Sequence, residues 1–283
     1  MEELKLIECP RDAMQGIHDF IPTEVKISYI NTILASGFDT VDFGSFVSPK
    51  AIPQLTDTAA VLEGLNPSDS KLLAIVANER GATDACEFER IDYLGYPFSV
   101  SEEFQKRNTN ATIDESFARV ETIQELVAKN NKKLVLYLSM GFGNPYGEKW
   151  HPDIVATWSE KLYNKLDVKI QALSDTIGVG TVASVSSLFE TLTSNLPEVE
   201  FGAHLHTLPE NAMDMVAAAY NSGCRRFDGA IRGLGGCPMA ADDLIGNMPT
   251  EKMLSWFEEN QIATGINGQI FESAMQQALT VFP

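Results

Sequence analysis

Thiols and positive charge are scarce in this chain, and no long apolar run is present. Four cysteines in 283 residues, Cys9, Cys86, Cys224 and Cys237, include no C-x-x-C pair. Neither a zinc ribbon nor a redox dithiol is therefore suggested, and so few thiols fit a reducing compartment. Lys and Arg number 21 against 39 Asp and Glu, a formal net charge of −18. No basic stripe is available to neutralise phosphate backbones, which argues against nucleic acid as a partner. An anionic substrate must then be met by a local cation or a metal, not by the overall field. The acidity itself needs nothing beyond solvated helix faces. No stretch approaches the ~20 apolar residues of a membrane span, and Met1-Glu2-Glu3-Leu4-Lys5 lacks the basic start and apolar run of a secretion signal. The expected location is the cytoplasm, with no membrane partner.

What is present is a repeating rhythm. Strand-like apolar runs fall at 4–9, 40–43, 72–76, 91–100, 134–138, 168–173, 199–206 and 226–231. Amphipathic stretches follow them at 22–36, 52–65, 82–88, 113–129, 153–166, 182–196 and 211–222, and helices at 250–260 and 269–281 close the chain. Gly37 and Gly223 stand where C-caps would, and Thr112 stands as an N-cap. Eight strand–helix units with short connections predict one (β/α)8 barrel over residues 1–283, with extra C-terminal helices. A doubly wound open sheet is the rival, but it usually needs fewer strands.

In such a barrel the chemistry sits at the C-terminal ends of the strands, and polar residues collect there. Arg11 and Asp12 follow the first strand, and Asp42 ends the second. Asp175 and Thr176 follow the sixth, and His204 and His206 end the seventh. Gly233-Leu234-Gly235-Gly236-Cys237-Pro238 follows the eighth, with Asn247 beyond. Residues two apart on a strand share a face, so His204 and His206 both point into the barrel mouth while Leu205 points outward. Strand eight abuts strand one in a closed barrel, so Asp12 and Asn247 can approach the pair. Two nitrogen and two oxygen ligands suit a divalent ion that keeps open positions, Mg2+, Mn2+ or Zn2+. The plain alternative is a pair of hydrogen-bonded core histidines.

Arg11 suits a developing enolate or a carboxylate, or else pairs with Asp42. Cys237, in a glycine-rich lid, is a general acid, a nucleophile or a small apolar filler. Gly178-Val179-Gly180-Thr181 is a phosphate cradle or a plain tight turn.

Several stretches together resemble the HMG-CoA lyase family, within a wider group of barrel metallolyases. They are Pro10-Arg11-Asp12 with Gln15, Ser45-Phe46-Val47-Ser48-Pro49-Lys50 with Pro53-Gln54, and Ile113-Asp114-Glu115-Ser116-Phe117. Ser174-Asp175-Thr176-Ile177-Gly178-Val179-Gly180-Thr181, His204-Leu205-His206, the run from Gly233 to Pro238, and Gly246-Asn247 complete the set in family order. The SFVSPK and GLGGCP stretches are specific to the lyases; the paired histidines are shared by the wider group. The resemblance implies that Asp12, His204, His206 and Asn247 hold an Mg2+ or Mn2+ ion. It implies a CoA thioester substrate, 3-hydroxy-3-methylglutaryl-CoA or a close 3-hydroxy acyl-CoA, cleaved to acetyl-CoA and acetoacetate. It also implies that Arg11 stabilises the enolate oxygen, that Cys237 protonates the enolate carbon, and that Asp175 relays the hydroxyl proton. A homodimer through the closing helices is implied too. Lys50 and Asn108 are the conceivable CoA contacts.

Three positions depart from the family. Asp42 stands where a Glu is usual, so its contact with the metal or Arg11 is expected to be lost or water-bridged. Thr207 replaces an Asp after the second histidine. Ala13 follows Asp12 where a Gly is usual, a poor choice if that position needs a positive φ. Three other functions compete: a condensing enzyme like the citramalate or isopropylmalate synthases, which usually carry a long C-terminal extension; a lyase for another hydroxy acyl-CoA or a 4-hydroxy-2-oxo acid; and a barrel that has kept the fold without catalysis. An aldolase on a free oxo acid would not need the thiol in the lid. The intact ligand set stands against the inert barrel.

Overall fold

The strands of the computed structural model, which describes residues 3–236 and 245–282, follow the apolar runs. They are β1 (Lys5–Glu8), β2 (Thr40–Ser45), β3 (Lys71–Ile75), β4 (Tyr93–Ser99), β5 (Lys133–Ser139), β6 (Ile170–Asp175), β7 (Glu200–Leu205) and β8 (Arg226–Gly229). All pair in parallel in chain order, and β8 closes on β1 with Lys5 opposite Arg226 and Glu8 opposite Gly229. The chain is thus a (β/α)8 barrel. Strands covered on both sides read as apolar runs rather than as alternation, and every residue of β2 and of β6 is buried.

The helices are α1 (Pro10–Gln15), α2 (Thr23–Ala35), α3 (Thr58–Gly64), α4 (Glu79–Cys86), α5 (Glu102–Thr109), α6 (Ile113–Lys129), α7 (Pro152–Leu166), α8 (Val182–Asn195), α9 (Ala212–Asn221), α10 (Thr250–Glu259) and α11 (Gly268–Val281). The caps act as read: Thr112 and Glu115 form a reciprocal capping box, and Gly37 and Gly223 adopt φ of 91° and 97°. Two helices escaped the periodicity. α1 is six residues, too short to show a period, and begins on a proline suited to a first turn. α5, Glu102-Glu103-Phe104-Gln105-Lys106-Arg107-Asn108-Thr109, is almost wholly polar and is held by Ser101 as N-cap. α11 closes the ring against α2, with Tyr29 meeting Phe282 and Phe38 meeting Phe271 edge to face at 5.6 and 6.0 Å.

The main core lies between strands and helices and includes Leu205. A smaller plug, built from Leu73, Tyr93, Val135, Tyr137, Ile170 and Ala172, fills the barrel itself. In β2 the pairing slips between Asp42 and Gly44. Such bulges re-aim side chains beside functional sites. No helix among the described residues is long and apolar enough to cross a membrane.

Candidate metal centre and active site

His204 and His206 face the cavity at the barrel mouth, their rings 5.5 Å apart. Past the end of β7, His206 makes an isolated antiparallel bridge with Asn247. Thr207 N–H donates to Gly246 O at 3.1 Å, and Met248 N–H donates to Leu205 O at 3.0 Å. This stitching brings Asn247 beside the histidines. Asp12 arrives from the other side, on α1, which starts one residue beyond β1. Ligand atoms of Asp12, His204 and His206 lie within 4.8 Å of one another. Asn247 Nδ2 donates to Asp12 Oδ2 at 2.6 Å and to Leu234 O at 2.8 Å, so its amide oxygen is unclaimed among the described residues.

These residues fit a divalent cation. His206 Nδ1 is buried without a partner among the described residues, a state that costs about 1–3 kcal/mol unless something satisfies it. His204 Nδ1 lies 3.1 Å from Asp228 Oδ2. That contact assigns the proton to Nδ1 and leaves Nε2 as the ligand atom, the carboxylate–histidine pairing common at metal sites. Burial pushes His206 down to about 4, and the neighbouring His204 adds to this. A neutral ring is the metal-binding form. Burial alone would lower His204, but Asp228 outweighs it and raises the ring above its ordinary value. Burial would raise Asp12, yet Arg11 and the two histidines hold it below the usual carboxylate range.

Arg11 is locked in place. Nε and Nη2 donate to Asp42 Oδ2 at 2.9 and 2.5 Å, and Nη1 donates to Asp12 at 2.8 Å and Gln15 at 2.9 Å. The expected loss of the Asp42 contact is therefore corrected: the shorter acid reaches Arg11 directly. Burial lifts Asp42 above the usual carboxylate range, and the Arg11 guanidinium forked onto it pulls the other way and favours the ionised form. A guanidinium has five N–H groups. Four are engaged, which leaves one Nη2–H for the cavity that Arg11 lines.

The other departures are mild. Ala13 sits inside α1 with ordinary φ, buried in the core, so no glycine is needed there. Thr207 is buried, and its hydroxyl donates to Leu208 O at 3.3 Å.

Asp175 is placed differently from the expectation. Its carboxylate accepts Val179 N–H at 3.0 Å and Gly180 N–H at 2.7 Å, and it is not a wall of the cavity; its neighbours Ser174 and Thr176 are. The glycine turn thus cradles an anion, but the anion is its own aspartate rather than a phosphate. Burial raises Asp175 to about 6 against these amides. Cys237 lies outside the described residues. Asn108 lines the cavity of about 400 Å³, and Lys50 does not. The glycine run passes against the ligands: Gly235 has φ of 97°, and a Cβ there would lie 2.6 Å from Asn247 Nδ2 and 2.8 Å from Asp12 O.

Two residues escaped the sequence reading: Asp228, and Tyr137, whose ring meets His204 edge to face at 5.1 Å. The available signal for Asp228 was Arg226-Phe227-Asp228, two opposite charges sharing the inner face of a buried strand.

The HMGL-like family model matches residues 4–277. The mitochondrial hydroxymethylglutaryl-CoA lyase of Macaca fascicularis is 32% identical over 272 residues, 95% of this chain and 82% of its own. The 3-hydroxy-3-isohexenylglutaryl-CoA/hydroxymethylglutaryl-CoA lyase of Pseudomonas aeruginosa is 29% identical over 281 residues, 99% of this chain and 93% of its own. An HMG-CoA lyase from Acinetobacter baumannii, solved with coenzyme A and 3-methylmalate, superposes with a TM-score of 0.91 at 32% identity, covering 99% of this chain and 91% of that one. With a match running almost from end to end, the chain belongs to the HMGL-like family.

Proposed function

We propose that this protein is a divalent-metal-dependent carbon–carbon lyase. Its substrate is 3-hydroxy-3-methylglutaryl-CoA or a close 3-hydroxy acyl-CoA, cleaved in the parent case to acetyl-CoA and acetoacetate. The observation that carries this reading is the convergence of Asp12, His204 and His206, with Asn247 beside them, at the mouth of an HMGL-like barrel. Asp12, His204, His206 and the Asn247 amide oxygen would hold Mg2+ or Mn2+. The ion supplies Lewis acidity that lowers the pKa of the substrate's tertiary hydroxyl.

As that hydroxyl gives its proton to water in the cavity, its C–O bond becomes a carbonyl. The C2–C3 bond breaks, and its electrons move into the thioester enolate. The remaining Nη2–H of Arg11 meets the negative charge on the enolate oxygen, and Asp42 and Gln15 keep the guanidinium from turning away. Cys237 is the donor that protonates the enolate carbon. Asp175 positions the turn that carries Ser174 and Thr176 to the cavity wall. Apolar walls from Val47, Ile52, Ile75 and Phe104 leave room for a 3-alkyl group longer than methyl, in keeping with the isohexenylglutaryl-CoA named for the Pseudomonas relative. The protein works in the cytoplasm as a homodimer.

The test is to incubate the protein with a panel of 3-hydroxy-3-alkylglutaryl-CoA thioesters, with Mn2+ and with EDTA. The proposal expects acetyl-CoA release that EDTA abolishes and added Mn2+ restores. Metal-dependent thiol release from acetyl-CoA plus an oxo acid, with no carbon–carbon cleavage of the hydroxyacyl-CoA panel, would replace it with a condensing enzyme.

A further inference from the structure

A second triplet shares a member with the metal centre. Ligand atoms of Cys9, His204 and Asp228 also lie within 4.8 Å of one another. Cys9 is the single residue between β1 and α1, fully buried, with its N–H donating to Gly229 O at 2.9 Å. Asp228, on the inner face of β8, is 3% exposed. One of its oxygens meets His204 Nδ1, and the other, Oδ1, is buried without a partner among the described residues. Burial is the largest influence on the Cys9 thiol and holds it well above its ordinary range, and the carboxylates of Asp228, Asp42 and Asp12 push the same way, a negative surround that a bound cation would offset. Arg226, two residues before Asp228, is the opposing charge.

A thiol, an imidazole and a half-unpaired carboxylate make a sulfur, nitrogen and oxygen set. Such a set suits Zn2+ and other soft ions, whereas Mg2+ and Mn2+ prefer oxygen-rich sites.

We propose that Cys9, His204 and Asp228 form a second cation site on the Asp228 side of the His204 ring, taken by Zn2+ or Cd2+, and that filling it inhibits the enzyme. On binding, the Cys9 S–H proton leaves to solvent as the metal–sulfur bond forms, and the His204 ring proton moves from Nδ1 to Nε2, which frees Nδ1 for the metal–nitrogen bond. The Asp228 carboxylate exchanges its hydrogen bond for a bond to the ion. Two divalent ions on one imidazole repel each other at short range, so the second site fills at the expense of the first. The inhibition rests on the lyase reading; the binding does not.

The experiment is a Cd2+ titration of the whole protein and of Cys9→Ser, followed by the ultraviolet charge-transfer absorption of the cadmium–thiolate bond, with Cys9→Ala as a second variant. The parent is expected to gain one thiolate's worth of absorption more than either variant. Zn2+ should inhibit Mn2+-supported turnover at least about tenfold more strongly in the parent than in the variants, whose turnover without Zn2+ equals the parent's. Equal absorption in parent and variants overturns the site. Unequal absorption with equal Zn2+ sensitivity overturns the inhibition. If no thioester is cleaved at all, the optical arm still decides the site, and the failure falls on the lyase reading.

Discussion

Arg11 owes its role to being held from three sides. Asp42 takes its Nε and one Nη2 hydrogen, and Asp12 and Gln15 take Nη1. Lysine keeps the charge but cannot reproduce this fork. Arg11→Lys is therefore expected to lower kcat by about 10²-fold or more while the fold and the Mn2+ affinity stay near the parent's. Steady-state kinetics beside a metal titration check it. At this scale the paired histidines were legible because their spacing has only one reading on a strand. Asp12 and Asn247 were reachable once the barrel was assumed to close. Asp175 was not, because sequence order cannot say whether a carboxylate at a strand end turns into the cavity or back onto its own loop. Asp228 and Cys9 were hidden for another reason: one buried acid or thiol in an apolar run looks like any other core position until its neighbours in space are known.

Two short elements position the ligands, and neither shows a periodic pattern. α1 carries Arg11 and Asp12 in its first turn, so the two are set by a helix rather than by a floppy loop. The glycine segment from Gly233 to Gly236 lies so close to Asp12 and Asn247 that only a bare backbone fits at Gly235. Gly235→Ala should force that segment away, adding strain at a φ of 97°. The expected result is Mn2+ affinity weaker by about tenfold or more, read by isothermal titration.

The base of the same segment is tied to β1. Glu8 accepts Ile231 N–H at 2.8 Å and the Thr250 hydroxyl at 2.6 Å, and burial raises its carboxyl to about 8. The folded protein therefore keeps a proton that the unfolded chain releases above about 4.5. Stability must fall as pH rises from about 4.5 to about 8, by roughly 3–5 kcal/mol in total, and then level off. Glu8→Gln accepts Ile231 N–H with its amide oxygen and reverses the other bond, its NH2 donating to Thr250 Oγ1, and it removes the titration, so its denaturation midpoints should lack that decline and exceed the parent's at pH 8. A variant with the parent's pH slope would show that Glu8 is not the group responsible.

At the scale of the molecule, closure of the barrel does what no local sequence can. β8 lies beside β1 only because the sheet meets itself, and this places Asp12 beside His204, His206 and Asn247, about 190 to 235 positions away. The eight-unit rhythm made the closure legible: each strand is an apolar run and each helix an amphipathic one, apart from the short α1 and polar α5. A net charge of −18 also sets how a CoA thioester must be held. On the proposed reading, its carboxylate and developing enolate would be met by a bound cation and by Arg11 rather than by a positive surface. The whole account therefore turns on one cation per chain. Equilibrium titration with Mn2+ of the parent and of His206→Ala measures it directly. The account predicts one tight site per chain in the parent, lost in the variant while its thermal midpoint shows that it still folds. A parent that binds no Mn2+, or a variant that binds it as well as the parent, would contradict the account.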